Sequence, residues 1–527
     1  MREPGAAGFF PGRADVVPHV HRQQRHSVIL VQDHVQAVRQ RELRVGDLDF
    51  HFARWGPDPT ALRARGARLQ VSDHAASDCR QRQGRCKSEE ADDRQHRTRH
   101  ESFTHQITKL FNHQITKPCT HRITNLPDHQ IKYSTRMFSR RVPDDRRPNR
   151  LAAVLADLRR RGVPLIDLTV SNPTRVGIYY PETLLAALAD ARALTYRPEP
   201  FGLREAREAV AEMYLRRGVR IAPDRIMLTA STSEAYSLLF KLLCDAGQSS
   251  VLTPVPSYPL FDHLTRLDAV TDRRYALAYH GAWEVECGDL DRAWTPDTRA
   301  VLAVSPNNPT GSALTARDAD ELVNRCAERR VALMLDEVFC DYPFAEAPLL
   351  DPPALERGDC LLFRLGGLSK TAGLPQLKLG WIAVSGPTRL VDEAADRLEL
   401  ICDTYLSVSM PVQVAAPALL AATSPIRDQI RDRVRHNYRA LHRAVAESDA
   451  GVSVLAADGG WSAVLRVPAI ASEEALALDL LTRDGVVAHP GFFFDFPHEA
   501  FLVVSLLPQP DTFARGVYLI LERVHAA

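Results

Sequence analysis

The sequence lacks the features that mark membrane and secreted proteins. No apolar run reaches the ~18 residues that a bilayer-spanning helix needs. The apolar stretch at residues 27–31 is too short, and lies too far into the chain, for a signal peptide. The nine cysteines form no CxxC pair, which disfavours a disulfide framework and a structural zinc site. We therefore expect a cytoplasmic protein with no membrane partner and no metal.

The sequence also has almost no net charge. Its 66 basic and 65 acidic residues leave a formal charge of +1 at pH 7. A large basic excess would favour nucleic acid or anionic lipid as a partner, so neither is predicted. The length of 527 residues is enough for two or more domains.

The composition changes sharply near Met137. Twelve of the 19 histidines precede it, in a stretch rich in Arg and Gln with little apolar periodicity. An eight-residue unit occurs there four times, from residue 105 to residue 132, and is too short for a stacking repeat of 20–50 residues. We predict that Met137 is the native start, and that residues 1–136 are a disordered extension or an upstream sequence read as protein. A histidine-rich metal segment is the alternative, although no HxxxH spacing on a convincing helix supports it.

After Met137, helical and strand patterns alternate, which predicts an α/β fold with a mainly parallel sheet. The expected domains are an N-terminal arm with part of a small domain (137–175), a large domain (176–405) and a C-terminal small α+β domain (406–527). Apolar periodicity predicts helices over 149–162, 181–194 and 203–217, and a strand over 165–170.

Three polar residues follow apolar segments in a regular order. Asn308 comes just after the strand predicted at Ala300–Val304, and Asp336 follows the strand predicted at Val331–Leu335. Lys370 ends the segment Leu365-Gly366-Gly367-Leu368-Ser369-Lys370. The spacings are 28 and 34 residues. Ligands of open α/β sheets bind at the carboxyl ends of strands, so these side chains are candidates for one site.

In this order and spacing, the three segments resemble those of class I/II aminotransferases, which are fold-type I enzymes similar to aspartate aminotransferase. The resemblance covers about Arg147 to the C-terminus. It implies the PLP-transferase fold, with pyridoxal 5′-phosphate (PLP) as cofactor. It also implies that Lys370 holds the cofactor aldehyde and moves a proton, that Asp336 keeps the pyridine nitrogen protonated, and that Asn308 faces the phenolic oxygen.

The resemblance extends to the remaining cofactor contacts. A helix opens at Ser231, Thr232 and Ser233, and its N-terminal N–H groups and hydroxyls suit a phosphate. The resemblance assigns two more residues to the phosphate, Ser369 and Lys378, the latter at the position of the phosphate-binding arginine. Tyr258 would stack on the pyridine ring. Tyr196 would reach the phosphate bound to a neighbouring subunit. A homodimer is therefore expected.

The chain departs from the family pattern at several positions. Phe339 replaces a tyrosine that often bonds the phenolic oxygen, and Gly367 replaces a serine at the phosphate. Lys378 keeps the charge of an arginine without its bidentate fork. Val503 replaces the arginine that usually binds the substrate α-carboxylate through a charge-assisted pair.

The missing arginine leaves the substrate contacts open. Arg175 and Arg466 are candidate replacements, and Asn172 and Asn308 are further candidate substrate-binding residues. Three consecutive phenylalanines, Phe492–Phe494, either form an apolar substrate wall or belong to the core.

The leading functional prediction is an aminotransferase that moves an amino group from an amino acid to a 2-oxo acid by a ping-pong mechanism. A PLP-dependent lyase acting by β-elimination is the alternative on the same fold, and the fold alone does not separate them. An aminotransferase-like transcription regulator is a further alternative, although no helix-turn-helix pattern supports it.

Overall fold

The computed structural model describes residues 137–143 and 145–526. The predictions for residues 1–136, including the eight-residue repeat, lie outside the described residues. Within the described part, no helix is both long and apolar enough to cross a membrane.

The helices carry apolar faces separated by charged ones, as their packing on sheets requires. In chain order they are α1 (Arg150–Arg160), α2 (Arg204–Arg216), α3 (Thr232–Leu243), α4 (Phe261–Leu267), α5 (Cys287–Ala293), α6 (Ala316–Arg329), α7 (Leu368–Thr371), α8 (Thr388–Tyr405), α9 (Met410–Ala422), α10 (Ser424–Ala446), α11 (Glu473–Arg483) and α12 (Pro510–His525). Side chains fix several starts: Asn149 Oδ1 accepts from Ala152 N at 2.8 Å, and Thr315 and Asp318 form a capping box at α6.

The strands form three sheets. In chain order they are β1 (Ile166–Asp167), β2 (Ile226–Thr229), β3 (Ser250–Val255), β4 (Thr271–Tyr279), β5 (Trp283–Val285), β6 (Thr298–Val304), β7 (Ala332–Asp336), β8 (Leu362–Gly367), β9 (Gly380–Ser385), β10 (Ser453–Val454), β11 (Ser462–Arg466), β12 (Val486–Val487), β13 (His489–Pro490) and β14 (Phe501–Ser505). The eight-stranded sheet has the order β2-β9-β8-β7-β6-β3-β4-β5. Its pairings from β4 through β3, β6 and β7 to β8 are parallel, so the predicted α/β architecture with a mainly parallel sheet is confirmed.

A four-stranded antiparallel sheet lies later in the chain, in the order β10-β11-β14-β13. A third sheet pairs β1 with β12 in parallel. Only Ala488 separates β12 from β13, so one short segment contributes to two sheets. The antiparallel register sets Val503 opposite Val464 on one side and opposite His489 on the other.

Two local predictions need correction. The segment 181–194, predicted as one α-helix, forms two 3₁₀-helices, Glu182–Ala189 and Ala191–Leu194. Asp190 separates them with an extended backbone and accepts from Arg192 N at 2.9 Å, which starts a new turn.

The strand predicted over 165–170 pairs only at Ile166–Asp167. Leu168 still donates to the Val487 carbonyl at 2.9 Å and accepts from Ser505 N at 2.6 Å. The Asp167 carboxylate then accepts from the Thr169 N–H at 2.9 Å, a local bond of the kind that competes with a strand ladder.

Candidate active site

A cavity of about 380 Å³ lies where β6, β7 and β8 end. Parallel neighbours end at the same sheet edge, so the loops that follow them share this cavity. Asn308, Asp336 and Lys370 all line it, together with residues of the four-stranded sheet such as Ser462 and Val503.

Lys370 lies in α7, the short helix directly after β8. Its Nζ is 4.8 Å from the centroid of the Trp461 ring and 5.8 Å from that of the Phe339 ring. The Tyr342 hydroxyl donates to the Lys370 carbonyl, which fixes the backbone at this position. The amine therefore enters the cavity between aromatic faces, where an ammonium is attracted to the ring electrons.

Asp336 is the last residue of β7 and is buried. Its Oδ2 accepts from the Tyr236 hydroxyl at 2.8 Å, and its Oδ1 accepts from Val338 N at 3.1 Å. Burial raises the pKa of this carboxyl to about 6, although both hydrogen bonds and the charge of Lys370 act in the opposite direction. Burial therefore disfavours the ionised form of Asp336, and a cation that pairs with the carboxylate would stabilise that form.

The N-terminus of α3 lies at another side of the cavity. Ser231 is its N-cap, with Oγ accepting from Glu234 N at 3.1 Å, and Thr232 and Ser369 line the cavity. A Cβ on Gly380 would lie 2.9 Å from the Ser231 carbonyl carbon, so glycine allows β9 to pass close to this helix end. The result is a group of N–H and hydroxyl donors at the positive end of a twelve-residue helix.

Two adjacent asparagines have different surroundings. Asn307 is buried and holds the loop, donating to the Pro256 carbonyl at 3.0 Å and accepting from the Ser257 hydroxyl at 2.7 Å. Asn308 lines the cavity.

The residues predicted for ring stacking and for substrate binding also reach the cavity. Tyr258 lines it and packs edge-on against Phe261, with ring centroids 5.8 Å apart. Asn172 lines it as well, and its Oδ1 accepts from Thr174 N at 3.0 Å.

Other predicted residues do not line the cavity. Lys378 is exposed and lies in the left-handed backbone region. Arg175 and Arg466 are exposed and are not among the lining residues. Ser231 and Ser233 belong to the α3 N-terminus without lining the cavity. Tyr196 is 69% exposed on a separate surface. In the described part of the chain, the cavity lining contains no arginine.

The four-stranded sheet and its adjoining loops contribute both apolar and polar side chains to the cavity wall, the polar ones being Ser462, His489 and Ser505. Val503 is buried and lines the cavity, and Phe494 is the one residue of the triple phenylalanine that reaches it. Phe493 instead packs into a core cluster, so the triplet is partly wall and partly core. The Ser505 hydroxyl donates to the Val170 carbonyl at 2.6 Å, which ties the loop before Asn172 to β14.

Sequence reasoning missed three side chains at this site. Tyr236 lies one helical turn after Thr232, so a helix beginning at Thr232 carries it on the same face. Trp461 and His489 precede or begin strands of the four-stranded sheet, and only the fold brings these strands beside Lys370.

These residues suit PLP. Asp336 offers a buried carboxylate for a protonated pyridine, and Lys370 offers an amine in the same cavity. The α3 N-terminus offers donors for a phosphate, and the glycine at 380 keeps that approach open. The absence of an arginine from the described lining leaves the carboxylate and the amine in place, but it removes a charged partner from the phosphate end as well as from the substrate end.

The fold resembles that of solved aminotransferases. An alanine aminotransferase from Pyrococcus furiosus superposes with a TM-score of 0.66 at 22% identity, covering 72% of this chain and 96% of that one. A mutant aspartate aminotransferase of Thermus thermophilus gives 0.64 at 23% identity, covering 74% and 100%. Fold and cavity together define a PLP-dependent enzyme of the aspartate aminotransferase-like fold.

Sequence comparison then gives the family. The model for "aminotransferase class I and II" matches residues 164–512. Alanine aminotransferase of Mycobacterium tuberculosis strain H37Rv is 26% identical over 375 residues, covering 69% of this chain and 86% of that protein. Glutamate-pyruvate aminotransferase of Escherichia coli K12 is 25% identical over 363 residues, covering 67% and 89%.

The chain belongs to the class I and II aminotransferase family and is an amino-acid aminotransferase (EC 2.6.1.-) with PLP as cofactor. The comparisons support neither a lyase nor a transcription regulator.

Proposed function

We propose that Lys370, Asp336 and Asn308 form the catalytic centre of an aminotransferase whose preferred substrates are amino acids with apolar side chains. The observation that carries this proposal is the meeting of the three side chains in one cavity at the ends of β6, β7 and β8. When bound, PLP supplies an electron sink for the bond broken at the substrate Cα.

Each residue then has a defined task. The Lys370 amine would hold the cofactor and, when free, could accept and return the proton of the substrate Cα. Asp336 pairs with the protonated pyridine nitrogen, and Tyr236 orients its carboxylate. Thr232, Ser369 and the α3 N-terminus bind the phosphate, and Ser231 and Ser233 support that turn as its cap and first-turn residue.

The remaining predicted contacts stay part of the proposal. Asn308, Tyr258 and Asn172 line the cavity. Asn308 would donate to the phenolic oxygen of the cofactor, Tyr258 would pack on its ring, and Asn172 would contact the substrate. Lys378 reaches the phosphate only if its exposed side chain turns inward.

We infer a homodimer. Tyr196 and Leu194 are 69% and 90% exposed, and Leu400 and Tyr405 are also exposed apolar side chains. Exposed apolar residues of this size are typical of surfaces that bind a partner. Equilibrium sedimentation of the protein tests this inference, and a monomer at micromolar concentration would contradict it.

The predicted division into an arm (137–175), a large domain (176–405) and a small domain (406–527) remains a proposal. It is supported by the grouping of the eight-stranded sheet between residues 226 and 385 and of the four-stranded sheet between 453 and 505. We also infer a cytoplasmic protein, because the six cysteines of the described residues are free thiols, as a reducing compartment keeps them.

The proposal on substrates rests on the cavity wall. Apolar lining residues such as Val338, Leu379, Phe494 and Val503 suit an apolar side chain, whereas a second carboxylate would find no arginine there. The relatives named for alanine and for glutamate with pyruvate make these compounds the first to compare with leucine and phenylalanine.

The test is the absorption spectrum of the PLP-loaded protein, recorded before and after single amino acids are added without an acceptor. Conversion of the cofactor band, with an equivalent of oxo acid released, is the expected result. Lys370→Ala should abolish the conversion, while Arg466→Ala should leave it unchanged because Arg466 is exposed away from the cavity. An active Lys370→Ala variant would refute the assignment.

A further inference from the structure

The substrate end of the cavity lacks a cationic anchor. In the described residues, the charged side chains of the lining are Lys370 and Asp336, and the proposed function uses both for the cofactor. Val503, where the family arginine would be, is buried and apolar. A substrate carboxylate entering here needs a different donor, because an unpaired carboxylate loses its hydration without compensation.

His489 lies directly beside this position. It pairs with Val503 in the antiparallel β13–β14 register, and directly opposite residues of such a pair carry their side chains on one face, about 5 Å apart. Both residues line the cavity. The imidazole packs against the Phe493 and Phe494 rings, with centroids 5.7 and 5.8 Å away, so its position is set by the wall.

One ring nitrogen of His489 has no hydrogen-bond partner. Its Nε2 is closed off from solvent and unpaired, although the residue belongs to the cavity wall. Nearly all buried polar side-chain atoms in folded proteins are paired, so an unpaired nitrogen next to a cavity points to a ligand. Because Nε2 is closed off, its contact with a ligand in the cavity requires a rotation about Cβ–Cγ, which exchanges the two edges of the ring.

The surroundings of His489 determine what kind of donor it is. Burial lowers the pKa of its imidazole to about 4, and the charge of Asp167 opposes this only in part. Asp336 and Lys370 are the other charged groups that face the same cavity. A neutral imidazole offers one N–H donor, which binds a carboxylate without the bidentate fork of an arginine.

We propose that His489 binds the substrate α-carboxylate in place of the family arginine and thereby determines substrate specificity. This inference rests on the proposed function. It assigns to the enzyme substrates with a single carboxylate and an apolar side chain, because the lining formed by the described residues contains no arginine for a second carboxylate and Val338, Leu379, Phe494 and Val503 form an apolar part of the wall.

The experiment compares two amines that differ only in the carboxylate, L-phenylalanine and 2-phenylethylamine, in single-turnover conversion of the PLP-loaded enzyme. His489→Leu should lower kcat/KM for L-phenylalanine roughly 10- to 100-fold, mainly through KM, and leave 2-phenylethylamine unchanged. His489→Gln retains an N–H donor and should keep part of the preference. His498→Leu, at an exposed position, is the matched control.

A second readout does not require turnover. Binding of 3-phenylpropionate, which has the carboxylate but no amine, is followed through the cofactor absorption, and His489→Leu should weaken it by a similar factor. Equal losses for both amines, or unchanged 3-phenylpropionate binding, would overturn the proposal. If the parent enzyme converts no amino acid, the proposed function fails separately, and the 3-phenylpropionate titration still decides the role of His489.

Discussion

A buried cluster of ionic side chains adjoins the candidate active site, because one of its members, Glu337, directly follows Asp336 in the chain. Arg364 on β8 is 1% exposed and contacts Glu337, Asp351 (2.9 Å) and Glu356 (2.6 Å). Glu337 is 3% exposed, and its other oxygen lies 3.5 Å from Arg217. Burial acts to raise the pKa of Glu337, but Arg364 and Arg217 outweigh burial and hold it below the usual range.

Arg364→Met keeps most of the side-chain volume and removes the charge. It leaves Glu337 buried with only the more distant Arg217, so we expect the free energy of unfolding to fall by about 3–5 kcal/mol. The control is Arg397→Met, since Arg397 and Glu393 form an exposed pair on α8 whose loss should cost about 0.5 kcal/mol or less.

The measurement is urea-induced unfolding at fixed protein concentration and PLP saturation, because both affect apparent stability. The double variant Arg364→Met/Glu337→Gln should recover part of the lost free energy of unfolding, because it no longer buries an uncompensated charge. In the single variant, burial of Glu337 is opposed by Arg217 without Arg364, so we expect the pKa of Glu337 to rise and the deficit to be larger at about pH 8 than at about pH 5.5. A deficit no larger than that of Arg397→Met, or strict additivity with Glu337→Gln, would refute the reasoning.

Three further predictions concern single contacts. Tyr236→Phe removes a hydroxyl that donates to the site carboxylate, so PLP should bind roughly 5- to 10-fold more weakly in an absorbance titration; an unchanged Kd would contradict this. Burial raises the pKa of Glu473 to about 7, so its ionised form weakens folding progressively from about pH 4.3 to about pH 7. Glu473→Gln should remove this pH-dependent component, whereas parallel stability profiles of variant and parent would show that the carboxyl does not titrate. Gly366→Ala would bring a Cβ within 2.5–2.7 Å of the Trp381 ring and should cost about 1–3 kcal/mol in unfolding free energy. Gly288→Ala, on α5, would place a Cβ 3.3 Å from Oε1 of Glu286, the end of a flexible side chain that can shift, so it should be neutral or stabilising. Equal effects of the two glycine variants would contradict the packing argument.

The strands that lead to the site were predictable from local pattern. The segments ending at Val304 and Leu335 are short and apolar, and each is followed by a polar residue. Their shared cavity follows from the parallel arrangement, in which all carboxyl ends meet at one edge.

Contacts across the fold were not predictable in the same way. Tyr236 reaches Asp336 across 100 residues of sequence, and nothing near either residue indicates the pairing. The edge strand β5 and its neighbour β4 were not predicted, because partial exposure of β4 mixes polar residues such as Arg273 and Arg274 into the pattern. The segment 181–194 has helical periodicity, but the extended backbone at Asp190 divides it.

The segment Val486–Pro490 constrains how this enzyme can be altered. Val486–Val487 keeps register with β1, and His489–Pro490 keeps register with β14, with one residue between them. An insertion or deletion would shift one of these pairings, and a shift of one residue turns every side chain to the opposite face. A point substitution disturbs neither. A mutant library aimed at new amino donors should therefore vary the side chains at His489 and Val503 and leave the length of this segment unchanged.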